Sequence, residues 1–100
     1  MVPTITPVQL AAVAQLMADP GRANILLTLI DGAALSAGEL ASLAGVTPQT
    51  MSSHLSKLVK SQLLAVEKRG RQHFYRLASP LVVSMLESMM LVVVPRPRQV

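Results

Sequence analysis

Apolar residues recur every three or four positions through most of the first 63 residues, which is the spacing of amphipathic helices. Helix-start signals interrupt this pattern at four places. Each is a capping side chain followed by proline, or a capping box that ends in Glu39. These starts are Thr6-Pro7, Asp19-Pro20, Ser36 to Glu39 and Thr47-Pro48. The pattern therefore predicts four consecutive helices.

The third and fourth helices are joined by the short segment from Ala44 to Thr47, which contains Gly45. Two helices joined by such a tight, glycine-containing turn form a helix-turn-helix. The second helix should end at Gly32 and the fourth at about Gln62. The core face of the fourth helix should consist of Met51, Leu55, Leu58 and Val59.

After Leu63 the apolar period changes from that of a helix to that of a strand. Residues 64–69 and 72–77 alternate in character, and Gly70 stands between them as a turn residue. This pattern predicts a β-hairpin with a charged tip.

Ser79 and Pro80 begin a final helix, which Pro95 ends. The chain is therefore predicted to be mainly α with a small β-hairpin, an α+β fold in the order α-α-α-α-β-β-α. This is the order of a winged helix-turn-helix domain. We expect a single such domain over residues 1–94, followed by a basic, proline-containing tail over residues 95–100.

Composition agrees with one globular domain and excludes several chemistries. The chain has 100 residues, 51% of them hydrophobic and none of them cysteine, so disulfides, thiolate metal sites and cysteine nucleophiles are excluded. It lacks paired carboxylates, a Ser-His-Asp set and a glycine-rich phosphate loop, so we expect no enzyme. The longest apolar run, residues 81–94, is shorter than the roughly 20 residues of a membrane span. We therefore expect a cytoplasmic protein without a membrane anchor.

Positive charge is concentrated in one third of the chain. The net charge is +4, but residues 47–76 carry six cations and a single acidic residue, Glu67. A solvated basic face explains such a distribution as well as a nucleic-acid site does. The neighbouring side chains therefore decide between the two.

The outer face of the fourth helix carries small polar side chains, with cations toward its C-terminal half. No acidic residue occurs between Ala41 and Val66, and Ser and Thr are used despite their poor helix propensity. This face consists of Gln49, Thr50, Ser52, Ser53, Ser56, Lys57 and Lys60. It suits a helix against DNA, where Gln49 can pair with adenine and where Thr47 and Thr50, with the helix N-terminus, can hold a phosphate.

The hairpin turn is surrounded by Lys68, Arg69 and Arg71. Taken alone, this charge is explained by the need to keep a strand edge from pairing with other chains. Because the turn follows a polar, acid-free helix, contact with phosphate is the better explanation.

Several short motifs together resemble the ArsR/SmtB family of bacterial winged-helix repressors. In order they are Ala18 to Arg22, Glu39 to Ala41, Gly45 to Leu55, Lys57-Leu58 and Gly70 to Leu77. The resemblance implies a homodimer built through the first and last helices. Each subunit would place its fourth helix in a major groove of a partly palindromic operator near its own promoter. The resemblance puts Gln49, Ser52, Ser53 and His54 against DNA, and Arg69 and Arg71 in the wing.

The chain departs from the metal-sensing members of that family. Ala41 and Leu43 stand where many members have cysteines, and the last helix offers only Glu87 where others have Asp and His pairs. A zinc site needs three or four ligands, and His54 and His73 lie on different elements. We therefore expect no metal and no cofactor. His54 is then a phosphate or packing contact, and His73 is a cross-strand residue.

The last helix is apolar on nearly every side, and a small monomer cannot cover all of it. Exposed apolar area costs about 25 cal/mol per Å², so we expect part of this surface in the core and the rest at a subunit interface. The residues predicted at the dimer interface are Val8, Leu10, Val13, Leu86, Met89, Met90 and Val93. The methionines can also line a pocket for an unidentified apolar effector.

The leading hypothesis is a dimeric, sequence-specific regulator that binds double-stranded DNA, a repressor released by a signal other than a metal. The alternative is a winged-helix module that contacts proteins and leaves its DNA surface idle, because fold does not fix function. The polar, acid-free fourth helix argues against the alternative.

Overall fold

A computed structural model of the protein describes residues 4–93 as five helices and a small sheet. The elements are α1 (Pro7–Met17), α2 (Pro20–Thr28), β1 (Leu35–Ser36), α3 (Ala37–Ala44), α4 (Pro48–Lys60), β2 (Leu64–Arg69), β3 (Gln72–Leu77) and α5 (Pro80–Val93). The predicted α+β fold and the order of its main elements are confirmed. The predicted tail, residues 95–100, lies outside the described residues, as does Val94.

The helices begin where the capping signals predicted. Thr6 caps α1 and Thr47 caps α4. At the start of α3, Ser36 Oγ accepts the Glu39 N–H and the Glu39 carboxylate accepts the Ser36 N–H, at 3.1 and 3.0 Å. The Ser36 backbone N–H, with its hydroxyl, lowers the pKa of Glu39 below its ordinary value. This reciprocal pairing satisfies two of the N–H groups that a helix start leaves free.

Two helices end earlier than predicted. The last residue of α2 is Thr28, and the following residues form turns up to Gly32, whose φ of 93° lies in the left-handed region. The last residue of α4 is Lys60, and Gln62 adopts a φ of 67°. In both cases the positive φ marks the end of the turn that follows the helix rather than the end of the helix itself.

The sheet has one strand more than predicted. β2 and β3 form the expected antiparallel hairpin, with Leu64 opposite Leu77 and Arg69 opposite Gln72. β1 pairs with the edge of β3 that is not paired with β2, so the strand order is β1-β3-β2. A two-residue strand is too short to show an alternating pattern, and the sequence therefore gave no sign of β1.

The core lies between α2, α3, α4, the sheet and α5. Its buried residues are Ile25, Leu26, Leu29, Leu40, Ala41, Met51, Leu55, Leu58, Leu63, Leu64, Leu77, Val82 and Leu86. The predicted core face of α4 is confirmed, with Val59 half-buried beside it. α1 has no buried residue. Among the described residues, no helix has the length and apolar character required to cross a membrane.

Candidate nucleic-acid interface

The packing of α4 determines which of its side chains face solvent. Met51, Leu55 and Leu58 are buried in the core, so the helix cannot rotate without exposing them. Every polar residue predicted on the outer face is exposed, namely Gln49, Thr50, Ser52, Ser53, Ser56, Lys57 and Lys60. The structure therefore brings these side chains together on one continuous, acid-free surface.

The N-terminus of α4 is ordered by its own threonines. Thr47 Oγ1 accepts the Thr50 N–H at 3.2 Å, and the two hydroxyls are 3.0 Å apart. The first turn holds no acidic residue, and the last turn holds Lys57 and Lys60. An anion can therefore approach either end of this helix without meeting a carboxylate of α4.

A groove of about 450 Å³ separates α4 from the hairpin. Its α4 wall includes Ser52, Ser56 and Lys60, and its hairpin wall consists of Val66 and Tyr75. Sequence reasoning missed the two hairpin residues. The available signal was strand alternation, because Val66 lies directly opposite Tyr75 and the two share one face of the sheet.

The two faces of the hairpin differ in what they offer. Lys68 lies opposite His73, two residues along from the Val66–Tyr75 pair, so Lys68 shares the groove-side face. Arg69 lies opposite Gln72 and belongs to the other face. Lys68 therefore extends the α4 surface, although the family resemblance placed only Arg69 and Arg71 in the wing.

His54 is the one predicted contact on α4 that does not join the exposed face. Its side chain is only 17% exposed, and its Nε2 lies 3.8 Å from Asp19 Oδ2 at the start of α2. Of the two roles expected for it, the structure shows the packing contact. His54 is thus the least exposed of the contacts predicted on α4, and its placement against DNA stays a prediction.

The predicted dimer residues divide into two groups. Val8, Leu10, Met89 and Val93 are exposed, and Val13 and Met90 are half-buried. Leu86 is only 7% exposed and packs in the core of its own subunit, and the subunit interface itself stays a prediction. Leu91 and Val92 are also exposed on α5 and enlarge the unpartnered apolar surface.

A profile of the helix-turn-helix domain matches residues 17–67, half of the chain. This chain belongs to the helix-turn-helix family. With the wing in place, the resemblance to ArsR-family winged-helix regulators is also confirmed.

Three relatives show how far the similarity extends. YdfF of Bacillus subtilis (strain 168), an uncharacterized HTH-type transcriptional regulator, is 46% identical over 81 residues, which are 81% of this chain and 36% of YdfF. HlyU from Vibrio cholerae has 30% identity and a TM-score of 0.76, covering 86% of this chain and 92% of HlyU. The Mb0332 fragment from Mycobacterium bovis has 26% identity and a TM-score of 0.78, covering 84% of this chain and 77% of the fragment. It is described as the homodimeric DNA-binding domain of a possible ArsR-family regulator. This chain thus spans about a third of the length of YdfF.

The cations of this helix-turn-helix protein's wing are not equally available. The Arg69 guanidinium donates two hydrogen bonds to Glu67 Oε2, at 2.6 and 3.0 Å, and lies 4.9 Å from the centre of the Phe74 ring. Arg71 is exposed at the turn, and among residues 4–93 no side-chain partner holds it. Arg69 is therefore held within the wing, whereas Lys68 and Arg71 can extend from it.

Replacing Glu67 by Gln should strengthen binding to duplex DNA severalfold. The change removes the only acidic residue of segment 47–76 and weakens the hold on Arg69. Each added phosphate contact steepens the dependence of log K on log salt by about 0.9. Fluorescence anisotropy over a salt series measures both quantities. The exposed Asp31→Asn variant changes the net charge equally and should have the smaller effect; equal effects would show that only net charge matters.

Metal ligands do not gather anywhere in the part of the chain that the structure describes. No three His, Asp or Glu side chains come close enough together to hold an ion within residues 4–93. His54 is in the middle of α4, and His73 is near the start of β3.

Proposed function

We propose that this chain binds double-stranded DNA as a homodimer and represses transcription from the sites it occupies. The main support is the exposed, acid-free face of α4. It lies beside a groove whose other wall is formed by the hairpin. Its relatives support the proposal, since YdfF is named a transcriptional regulator and Mb0332 is described as a homodimeric DNA-binding domain. Because these relatives are bacterial proteins, we propose that the chain acts in the cytoplasm, where bacterial DNA lies.

The geometry supports insertion of α4 into a major groove, which is wide enough to admit one helix. Gln49 and Ser53 lie in the N-terminal half, where short side chains bring the helix close to base edges. Lys57 and Lys60 lie in the C-terminal half, at positions suited to phosphates. Lys68 and Arg71 would reach the adjacent backbone from the wing.

A dimer would cover the apolar surface that a single subunit leaves exposed. Val8 and Leu10 on α1 and Met89 and Val93 on α5 supply a patch that a second copy can match by two-fold symmetry. Two α4 helices related in this way read half-sites about 34 Å apart, one turn of DNA. We further propose that residues 1–94 act as one domain and that residues 95–100 follow it as a tail.

The releasing signal is proposed to be something other than a metal ion. A pocket of about 250 Å³ lies between α1, α2 and α5, and its lining includes Met17, Met89 and Met90. These flexible side chains suit an apolar effector, and the proposed dimer surface borders the same pocket. Footprinting of the upstream DNA, with and without candidate apolar compounds, tests the apolar effector. The same footprint with and without a chelator tests whether the signal is a metal ion.

Salt dependence of DNA affinity is the primary test of the proposed function. With about four phosphate contacts per subunit, the slope of log K against log salt should be about −7 for the dimer. Anisotropy titrations of a labelled duplex from the chain's own upstream region give this slope. A slope near zero would refute DNA binding and favour the protein-contact module.

A further inference from the structure

The side chain of His54 lies where α4 meets the corner between α1 and α2. Its Nε2 is 3.8 Å from Asp19 Oδ2, and Asp19 is itself the N-cap of α2, accepting the Arg22 N–H at 3.0 Å. The Arg22 N–H, with the charges of Arg22 and His54, keeps the pKa of Asp19 below its ordinary value despite some desolvation. Asp19 is therefore ionised at neutral pH and can hold a donor from α4.

The same corner is tied to α1. The Arg22 guanidinium donates to the backbone carbonyls of Leu16 and Gln15, in the last turn of α1. A helix C-terminus carries unpaired carbonyls and partial negative charge, which a guanidinium stabilises. A chain of polar contacts thus leads from α1 through Arg22 and Asp19 to His54 on α4.

This contact differs in kind from the others that hold α4. The core contacts of α4 are made by Met51, Leu55 and Leu58, which are apolar and weakly directional. Among residues 4–93, no other α4 side chain forms a hydrogen bond or ion pair with another helix. The approach of His54 Nε2 to Asp19 Oδ2, an ion pair when the imidazole is protonated, is therefore the one polar contact of an α4 side chain with the α1–α2 corner among residues 4–93.

Gly21 allows this contact to form. A Cβ atom at position 21 would lie 2.9 Å from Asp19 Oδ2, closer than real Cβ atoms approach their neighbours, and 3.1 Å from His54 Nε2, tighter than most such contacts, so these side chains would have to shift. The backbone at Gly21 is ordinary helix rather than left-handed, so the conformation itself does not require glycine. The missing side chain is needed for space.

We propose that the Asp19–His54 contact, with Gly21 beside it, is a positioning joint that sets the orientation of α4 relative to the dimerising helix α1. In a two-fold dimer this orientation fixes the separation of the two α4 helices, and so the spacing of half-sites that the dimer accepts. His54 is a positioning residue here and touches no base or phosphate. This proposal rests on the proposed function, because it presupposes a dimer that binds DNA.

The test is the Gly21→Ala variant against the matched Gly38→Ala variant. Both glycines are second residues of a helix, but a Cβ at position 38 meets only Ser36 Oγ, at 4.0 Å. Each change adds one methyl group and removes no polar atom. Gly21→Ala places a methyl group against the Asp19 and His54 side chains and forces them apart, whereas Gly38→Ala leaves its neighbours in place.

Affinity is measured on two duplexes selected from a random-sequence pool by the unaltered protein, one with both half-sites and one with a single half-site. Gly21→Ala should bind the two-site duplex on the order of tenfold more weakly and the single-site duplex unchanged. It should also lose less affinity than the unaltered protein when one base pair is inserted between half-sites. Gly38→Ala should match the unaltered protein throughout.

The proposal is overturned if Gly21→Ala behaves as Gly38→Ala does, or if it weakens both duplexes equally. Should Gly21→Ala fail to fold by circular dichroism, Asp19→Asn replaces it, because asparagine keeps the N-cap acceptor and removes the charge. His54→Gln, which keeps a donor, should then recover more of the spacing preference than His54→Ala. An unaltered protein that binds no duplex at all would refute the proposed function, independently of the joint.

Discussion

Replacing Gln49 and Ser53 together by Ala should reduce affinity for the selected operator on the order of 100-fold. Both side chains are exposed in the N-terminal half of α4, where they would meet base edges. A good base contact contributes about 1–3 kcal/mol of discrimination, so the loss of two removes most of the specificity. Affinity for an unrelated duplex should change little, because Lys57 and Lys60 still contact phosphates.

Asn24→Ala with Ser42→Ala is the matched control. It removes the same number of amide and hydroxyl groups from exposed positions on α2 and α3. Anisotropy titrations on operator and unrelated duplexes compare the two double variants. The base-reading role of Gln49 and Ser53 fails if their variant retains operator affinity, or if the control variant loses it equally.

Features of the fold that depend on neighbours in sequence were predicted well. The caps at Thr6, Ser36 and Thr47 act within three residues of themselves, so their chemistry is visible in the sequence. The core face of α4 follows from helical periodicity. β1 was missed because its stability comes from pairing with β3, some 40 residues later, and its two residues have no period of their own.

The candidate interface, like the fold, was predictable where it depends on residues close together in sequence. Once Leu55 and Leu58 are assigned to the core, the exposed face of α4 follows from 3.6 residues per turn. The packing of His54 on Asp19 was not predictable, because Asp19 is far away in sequence and only the tertiary packing of α2 on α4 brings the two together. The position of His54 on α4 did not determine that its side chain lies against Asp19.

The wing and α5 show two further limits. Cation counting treated Arg69 as equivalent to Arg71, but strand alternation places Arg69 beside Glu67 on the face away from the groove. On α5, nearly every position is apolar, so periodicity could not separate Leu86, which is in the core, from its exposed neighbours. Hydrophobicity distinguishes surfaces only where polar residues alternate with apolar ones.

Replacing Val8 and Met89 together by Glu should convert the proposed dimer to a folded monomer. The two side chains are 77% and 44% exposed in the isolated subunit, so the carboxylates remain solvated there and the core is undisturbed. In a two-fold interface each carboxylate would be present twice and buried without a partner, which costs several kcal/mol per charge. Operator affinity should fall on the order of 100-fold or more, because the two α4 helices would no longer bind as a unit.

Sedimentation equilibrium measures the mass in solution, and circular dichroism verifies that the variant is folded. Leu43→Glu is the control, since Leu43 is 68% exposed on α3, outside the apolar surface of α1 and α5. It should leave both mass and operator affinity unchanged. A Val8→Glu, Met89→Glu variant that remains a dimer would place the subunit contact elsewhere. One that is monomeric yet binds the operator at full affinity would show that a single subunit carries the recognition.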